Sequence, residues 1–193
     1  MKQQLSDRIT SLPASATLVM AAKARELKNA GKDIISLSLG EPDFNTPDYI
    51  KDAAIQAIND DYNSYSPVDG YADLKEAICK KFKRDNNIDY KPSQIVVSTG
   101  AKQSLANITQ VLLNPGDEVI LPAPYWVSYS AQAILGGATD TEIPSSIDTD
   151  FKITPEQLEA AITPKTKLIF FNSPNNPSGT VYTEEDYRGL AAV

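Results

Sequence analysis

The second half of the chain alternates short apolar segments with stretches whose apolar residues recur at helical spacing, and this alternation restricts the possible folds more than any other feature. The segments predicted as strands are Gln94–Ser98, Glu118–Leu121, Thr139–Ile143 and Lys167–Phe171. Because a helix lies between successive strands, we expect a mainly parallel sheet with helices packed on its faces. The sequence therefore predicts the α/β class.

Helix ends are marked by capping residues. The predicted helices cover about 15–30 and 46–59, and further helices follow Gly70, Gly100, Trp126, Thr154 and Thr183. Gly31 is expected to end the first helix, and Thr46 is expected to cap the second, with Pro47 at its first position. Thr154 and Gln157 form a predicted capping box.

The composition excludes several classes of function. The chain has 18 Lys and Arg residues against 25 Asp and Glu residues, a net charge of −7, so neither nucleic acid nor membrane is expected as a partner. It contains no histidine and one cysteine, Cys79, which excludes histidine acid–base pairs, imidazole metal sites and disulfides. No apolar run is long enough to span a membrane and no leader is visible, so a cytoplasmic protein is expected.

Three predicted strands are followed by segments rich in residues that bind ligands. These segments are Ser98–Lys102, Pro122–Trp126 and Asn172–Gly179. Parallel strands place their carboxyl ends along one edge of the sheet, where α/β proteins bind ligands. We therefore expect the three segments to form a binding site.

Lys102 occupies an unusual position for a cation. Other helices with clear starts carry acids in the first turn, as at Asp48 and Glu156, whereas the helix after Gly100 carries Lys102. A cation there opposes the helix dipole by about 0.3–1 kcal/mol, unless an anion binds at the same place. Gly100 allows an anion to approach the backbone N–H groups of Ala101 and Lys102. The motif is equally consistent with a phosphate site and with an ordinary turn that carries a solvated lysine.

The other two segments are also open to two interpretations. Trp126, the only tryptophan, can stack on a flat heteroaromatic ring or serve as a core or subunit-contact aromatic. Asn172, Asn175 and Asn176 are interrupted by prolines and can bind a hydroxyl or a carboxylate, or they can form a plain turn-rich loop. The residues of either segment alone do not distinguish ligand binding from a structural role.

Five motifs occur in order along the chain: Ser38-Leu39-Gly40-Glu41-Pro42-Asp43-Phe44, Tyr65-Ser66-Pro67 with Gly70, Ser98 to Lys102, Pro124-Tyr125-Trp126, and Asn172 to Gly179. Together they resemble the fold type I pyridoxal-phosphate aminotransferases, in particular the bacterial aspartate aminotransferase subgroup. The resemblance implies a three-layer fold with a mainly parallel central sheet. Residues 1–45 would form an amino-terminal arm and a small-domain segment, and residues 46–193 the first part of the large cofactor-binding domain.

The resemblance implies a cofactor, pyridoxal 5'-phosphate, and the residues that hold it. Gly100 and the backbone N–H groups of Ala101 and Lys102 would bind the phosphate. Trp126 would stack on the pyridine ring, and Asn176 would hydrogen-bond its phenolic oxygen.

The resemblance also implies a homodimer and a small-molecule substrate. Tyr65 is similar to the tyrosine that reaches the cofactor phosphate of the partner subunit, so the active sites would be shared. Gly40 resembles the residue whose backbone meets the α-carboxylate of the amino acid, beside Trp126 and Asn176. A 2-oxo acid would receive the amino group.

Selectivity for aspartate is implied by three further positions. In the aspartate subgroup, residues that match Ser15, Thr17 and Lys102 help to recognise the distal carboxylate of the substrate. From the residues alone, Ser15 is equally consistent with a helix cap and Thr17 with a surface residue.

The resemblance places the Schiff-base lysine beyond Val193, because none of the lysines present lies in a matching motif. No catalytic residue is therefore assigned, and the 193-residue chain alone is expected to be a truncated, inactive piece of the enzyme. Alternatives are an aromatic, alanine or prephenate aminotransferase on the same scaffold, or a non-catalytic remnant.

Overall fold

The computed structural model of the chain describes residues 4–37, 40 and 42–193. The chain divides into two compact units. We call Met1–Val19 with Leu105–Val193 the sheet unit, and Met20–Ser104 the helical unit.

The secondary structure follows the predicted alternation. The described residues form helices α1 Asp7–Thr10, α2 Ala16–Asn29, α3 Asp48–Asn59, α4 Ala72–Asn86, α5 Ala101–Leu112, α6 Ser128–Leu135, α7 Pro155–Ala161 and α8 Glu184–Ala191. They also form strands β1 Glu118–Pro122, β2 Thr139–Ile143 and β3 Thr166–Ile169. Two 3-10 turns lie at Pro92–Gln94 and Ile147–Thr149.

The three strands form one parallel sheet, as predicted, in the order β2-β1-β3. Glu118 of β1 lies opposite Thr139 of β2, and Val119 of β1 lies opposite Leu168 of β3. The central strand is apolar because both of its faces are covered. Val119, Ile120 and Leu121 are 0% exposed.

Helices cover the sheet on both faces, which gives three layers. Val119 and Leu121 pack with Ala133 of α6, whereas Ile120, on the opposite face, packs with Leu158 of α7. Alternate side chains of a strand point to opposite faces, so β1 contributes to both cores. Leu190 of α8 adds to the α7 side.

Successive strands are added to the sheet on opposite sides of β1. The connection through α6 leads from β1 to β2, and the connection through α7 then leads to β3 on the other side of β1. The segments that follow β1 and β3 therefore lead toward opposite faces of the sheet, and a crevice is expected between them. A crevice at this kind of switch point is where α/β proteins bind ligands.

The helical unit confirms one predicted helix end and corrects one predicted start. Gly31 has φ +78°, and its N–H donates to Lys28 O at 3.0 Å, so it ends α2 as predicted. The predicted cap at Thr46 is wrong, because the cap position of α3 is Pro47 and no side chain caps the helix. Proline supplies the fixed φ that suits a helix start without a side-chain bond.

The predicted strand Gln94–Ser98 is wrong. Gln94 ends a 3-10 turn, and residues 95–98 belong to none of the strands formed by the described residues. The N–H of Val97 donates instead to Asp69 O at 3.1 Å. An apolar segment becomes a strand only where a partner strand completes its hydrogen bonds. None of the helices in the described ranges is long and apolar enough to cross a membrane.

Candidate active site

The loop after β1 is fixed to the end of β2. Ala123 donates its N–H to Ile143 O at 2.9 Å, and its own carbonyl accepts a bond from the Ser145 hydroxyl. The Tyr125 hydroxyl donates to the Glu142 carboxylate. Burial, and then the Glu142 carboxylate, raise the pKa of Tyr125, so the phenol stays a neutral donor.

Trp126 is oriented by two further aromatic rings. It is half-buried, and its carbonyl accepts the N–H of Tyr129 at 2.9 Å. The two rings meet edge to face, with centroids 5.6 Å apart and planes at 88°. Tyr129 in turn stacks on Phe170, which follows β3, at 5.0 Å. These contacts connect the indole with the apolar core and restrict its rotation.

The asparagine-rich loop after β3 is bonded to the loop after β1. Asn175 donates from Nδ2 to Pro124 O at 2.9 Å and to Ser178 Oγ at 2.8 Å. The next residue, Asn176, is exposed. The predicted placement of Pro122–Trp126 and Asn172–Gly179 at one edge of the sheet is therefore confirmed.

Aromatic residues that the sequence analysis did not select lie behind this loop. Phe171 and Tyr182 meet edge to face at 4.6 Å, and with Phe151 they line a small cavity of about 10 Å³ beside Pro124 and Asn175. The buried Tyr182 hydroxyl accepts the N–H of Ile153 at 2.8 Å. The sequence marks Tyr182 only by its position just before the helix cap Thr183.

The start of α5, in the helical unit, has the features of an anion site. Gly100 has φ +83°, and no atom of the described residues beyond its chain neighbours lies within 4 Å of the position that a Cβ would take there. The Gln103 side chain accepts the N–H of Thr99, which fixes the approach to the helix. Ala101 and Lys102 are exposed in a first turn that carries no acid. A negative ligand is therefore favoured at this helix start.

The segment before Gly100 packs against Gly70, which the sequence analysis placed before a helix and in the motif with Tyr65-Ser66-Pro67. A Cβ on Gly70 would lie 2.5 Å from Val97 Cγ2, so the close contact requires glycine. Lys75 forms an ion pair with Asp69, and its hydrogen bond holds the pKa of that carboxyl below its usual value. This ion pair fixes the turn that supports Val97.

The remaining predicted residues are divided between the two units. In the sheet unit, exposed Ser15 lies in a groove shared with Tyr125 and Val127, and Thr17 is half-buried. In the helical unit, Gly40 and Tyr65 are exposed. Of the first motif, Ser38, Leu39 and Glu41 lie outside the described residues.

The parallel sheet and the helical layers on its two faces place the chain in the α/β class. The model of the aminotransferase class I and II family matches residues 32–193. The chain belongs to this family.

The chain is similar to named members of the family. It is 52% identical over 190 residues to an aspartate aminotransferase of Bacillus subtilis (strain 168), covering 98% of this chain and 48% of that protein. It is 52% identical over 189 residues to an aspartate/prephenate aminotransferase of Cereibacter sphaeroides, covering 98% of this chain and 47% of that protein.

Solved structures of aspartate aminotransferases are similar to this chain in fold as well as in sequence. The aspartate aminotransferase of Rhizobium meliloti superposes with a TM-score of 0.94 at 44% identity, over 98% of this chain and 48% of that chain. The Thermus thermophilus aspartate aminotransferase with maleate gives 0.93 at 42% identity, over 98% of this chain and 50% of that chain. The chain thus spans about half the length of these relatives.

Proposed function

We propose that the full-length protein containing this chain transfers the amino group of aspartate to a 2-oxo acid with pyridoxal 5'-phosphate as its cofactor. The observation that carries the proposal is the Asn175–Pro124 bond, which joins the loop of Trp126 after β1 to the loop of Asn176 after β3. The names of the relatives, aspartate and aspartate/prephenate aminotransferase, support the same reaction.

The residues present fit this cofactor. An indole restrained by Tyr129 suits a flat pyridine ring, and the exposed amide of Asn176 suits its phenolic oxygen. The start of α5, with Gly100 at positive φ and Lys102 in the first turn, suits a phosphate. When bound, the cofactor supplies an electron sink for the carbanion at the substrate α-carbon.

In this proposal, the residues of this chain bind and orient the cofactor. Gly100 gives the phosphate access to the N–H groups of Ala101 and Lys102, which donate hydrogen bonds to its oxygens. Trp126 covers one face of the ring and excludes water from it. Asn176 donates to the phenolic oxygen and fixes the rotation of the ring in its plane.

Substrate selectivity is assigned in this proposal to Ser15, Thr17, Lys102 and Gly40. Ser15 and Thr17 donate hydroxyl hydrogen bonds to the distal carboxylate of aspartate, and the Lys102 ammonium supplies a positive charge. Gly40 presents its backbone to the α-carboxylate. The Thermus thermophilus relative was solved with maleate, a dicarboxylate, which supports recognition of two acidic groups.

The proposal extends to a homodimer in which Tyr65 reaches the cofactor phosphate of the partner subunit. Tyr65 is fully exposed, at 106% of its reference area, as expected of a residue that acts on another chain. We further propose that the 193 residues alone do not transaminate, because the Schiff-base lysine is expected beyond Val193.

Prephenate is the second candidate amino acceptor, because relatives at 50% and 52% identity carry the name aspartate/prephenate aminotransferase. The deciding experiment measures transamination by the full-length protein with aspartate, phenylalanine or alanine as donor and 2-oxoglutarate or prephenate as acceptor. Lys102→Ala is expected to raise KM for aspartate about tenfold or more and to change KM for phenylalanine little, since a charged hydrogen bond contributes about 1.5–3 kcal/mol. Equal losses on all donors would refute the assigned selectivity, and no transamination at all would refute the function.

A further inference from the structure

Asn175 and Asn176 are neighbours of the same type, but their environments differ. Asn176 is exposed, whereas Asn175 is half-buried. The two amide hydrogens of Asn175 are directed to Pro124 O at 2.9 Å and to Ser178 Oγ at 2.8 Å. An amide nitrogen has two hydrogens, so both are used within the protein.

The backbone of Asn175 is held as firmly as its side chain. Its N–H donates to Thr180 O at 2.9 Å, and its carbonyl accepts the N–H of Gly179 at 2.8 Å. Asn175 therefore has a fixed position in the loop after β3. Its amide nitrogen does not need a ligand to complete its hydrogen bonds.

The bond to Pro124 connects the loop after β1 directly to the loop after β3. Pro124 precedes Trp126 by two residues, and Asn175 directly precedes Asn176, although 51 residues separate the bonded pair in sequence. Tyr125 is bonded to Glu142 on β2, which lies on the other side of β1. Without the Asn175 bond, the loop of Trp126 keeps its attachment to β2 but loses its side-chain hydrogen bond to the loop of Asn176.

We propose that Asn175 is a positioning residue whose side chain sets the separation of Trp126 and Asn176 across the crevice between β1 and β3. This inference rests on the proposed function, because that separation matters only if both residues hold one flat ring. Asn175 does not touch the ring; it acts through the placement of Asn176.

The test measures the dissociation constant of pyridoxal 5'-phosphate by absorbance titration of the full-length protein. Asn175→Ala is expected to weaken binding about three- to tenfold, the range of one hydrogen bond. Asn175→Asp keeps the shape but cannot donate to Pro124 O and sets a carboxylate oxygen against that carbonyl, so a loss at least as large is expected. Ser178→Ala is the matched control, because it removes the bond within the loop and keeps the bond between loops; a change below about twofold is expected.

The decisive comparison repeats Asn175→Ala in an Asn176→Ala background. A residue that acts through Asn176 loses most of its effect there, whereas general loosening of the fold weakens binding equally in both backgrounds. Equal effects in the two backgrounds, or no effect of Asn175→Ala and Asn175→Asp, would overturn the inference. Thermal unfolding of each cofactor-free variant shows whether it is folded, and Asn175→Asp replaces Asn175→Ala if the latter is not. Absence of binding by the unmutated protein would instead overturn the proposed function.

Discussion

Replacing Gly100 with alanine tests whether the start of α5 is a phosphate site. Gly100 has φ +83°, and in the described part of the chain no atom beyond its chain neighbours lies within 4 Å of the position of a Cβ there. Left-handed backbone costs a residue with a Cβ about 1–2 kcal/mol, and the stiffer unfolded chain offsets about 0.4–1 kcal/mol of that. The expected net loss of stability is therefore small, about 1 kcal/mol.

The effect on the ligand is expected to be larger. A methyl group at Gly100 lies next to the N–H group of Ala101 and hinders the close approach of a phosphate to the backbone at this helix start. Loss of one charged hydrogen bond corresponds to about 1.5–3 kcal/mol, which predicts a tenfold or greater rise in the dissociation constant for pyridoxal 5'-phosphate. The measurements are denaturant unfolding and an absorbance titration of the full-length protein.

Gly31 provides the matched control in the same unit. It has φ +78°, and within the described structure a Cβ there also meets no atom within 4 Å beyond its chain neighbours. Gly31→Ala should therefore lose as much stability as Gly100→Ala and leave the affinity for the cofactor unchanged. If Gly100→Ala bound the cofactor as tightly as the unmutated protein, the assignment of the phosphate site would be wrong.

Three further predictions concern the sheet unit. Leu121→Ala removes a side chain with 0% exposure and should destabilise the fold by about 2–5 kcal/mol in denaturant unfolding; a loss under about 1 kcal/mol would contradict the described core. Tyr125→Phe removes the hydrogen bond to Glu142 and should lower the free energy of unfolding by about 0.5–1.5 kcal/mol below pH 9. An unchanged free energy of unfolding would contradict this contribution. Lys152 lowers the pKa of Asp186 from 3.8 to about 2, so this ion pair stabilises the fold fully above about pH 4, and its contribution is lost as the pH falls toward 2. Asp186→Asn should therefore flatten the dependence of unfolding free energy on pH between about 4 and 2. A dependence that is unaltered in this variant would contradict the ion pair.

Features that depend on neighbours in sequence were predictable. The capping box at Thr154 is confirmed, with the Gln157 N–H donating to Thr154 Oγ1 at 3.3 Å. The bounds of Thr139–Ile143 as a strand are confirmed as well. Alternating strands and helices also predicted a parallel sheet, and hence the meeting of the Trp126 loop with the Asn176 loop.

Features that depend on distant partners were not predictable from local pattern. The bond from Tyr125 to Glu142 joins residues 17 apart, and the bond from Ile153 to Tyr182 joins residues 29 apart. Nothing in the local sequence distinguishes these tyrosines from surface tyrosines. The apolar segment at 95–98 has the composition of a strand, but composition does not supply the partner that a strand requires.

The central claim is that the full-length protein binds pyridoxal 5'-phosphate and that the start of α5 holds its phosphate. The most direct measurement is a titration of the full-length protein with pyridoxal 5'-phosphate, followed by visible absorbance, with and without inorganic phosphate. The account predicts saturable binding of one cofactor per chain and a weaker apparent affinity in phosphate, because both compete for the N–H groups of Ala101 and Lys102. Absent binding, or binding that inorganic phosphate leaves unchanged, would contradict it.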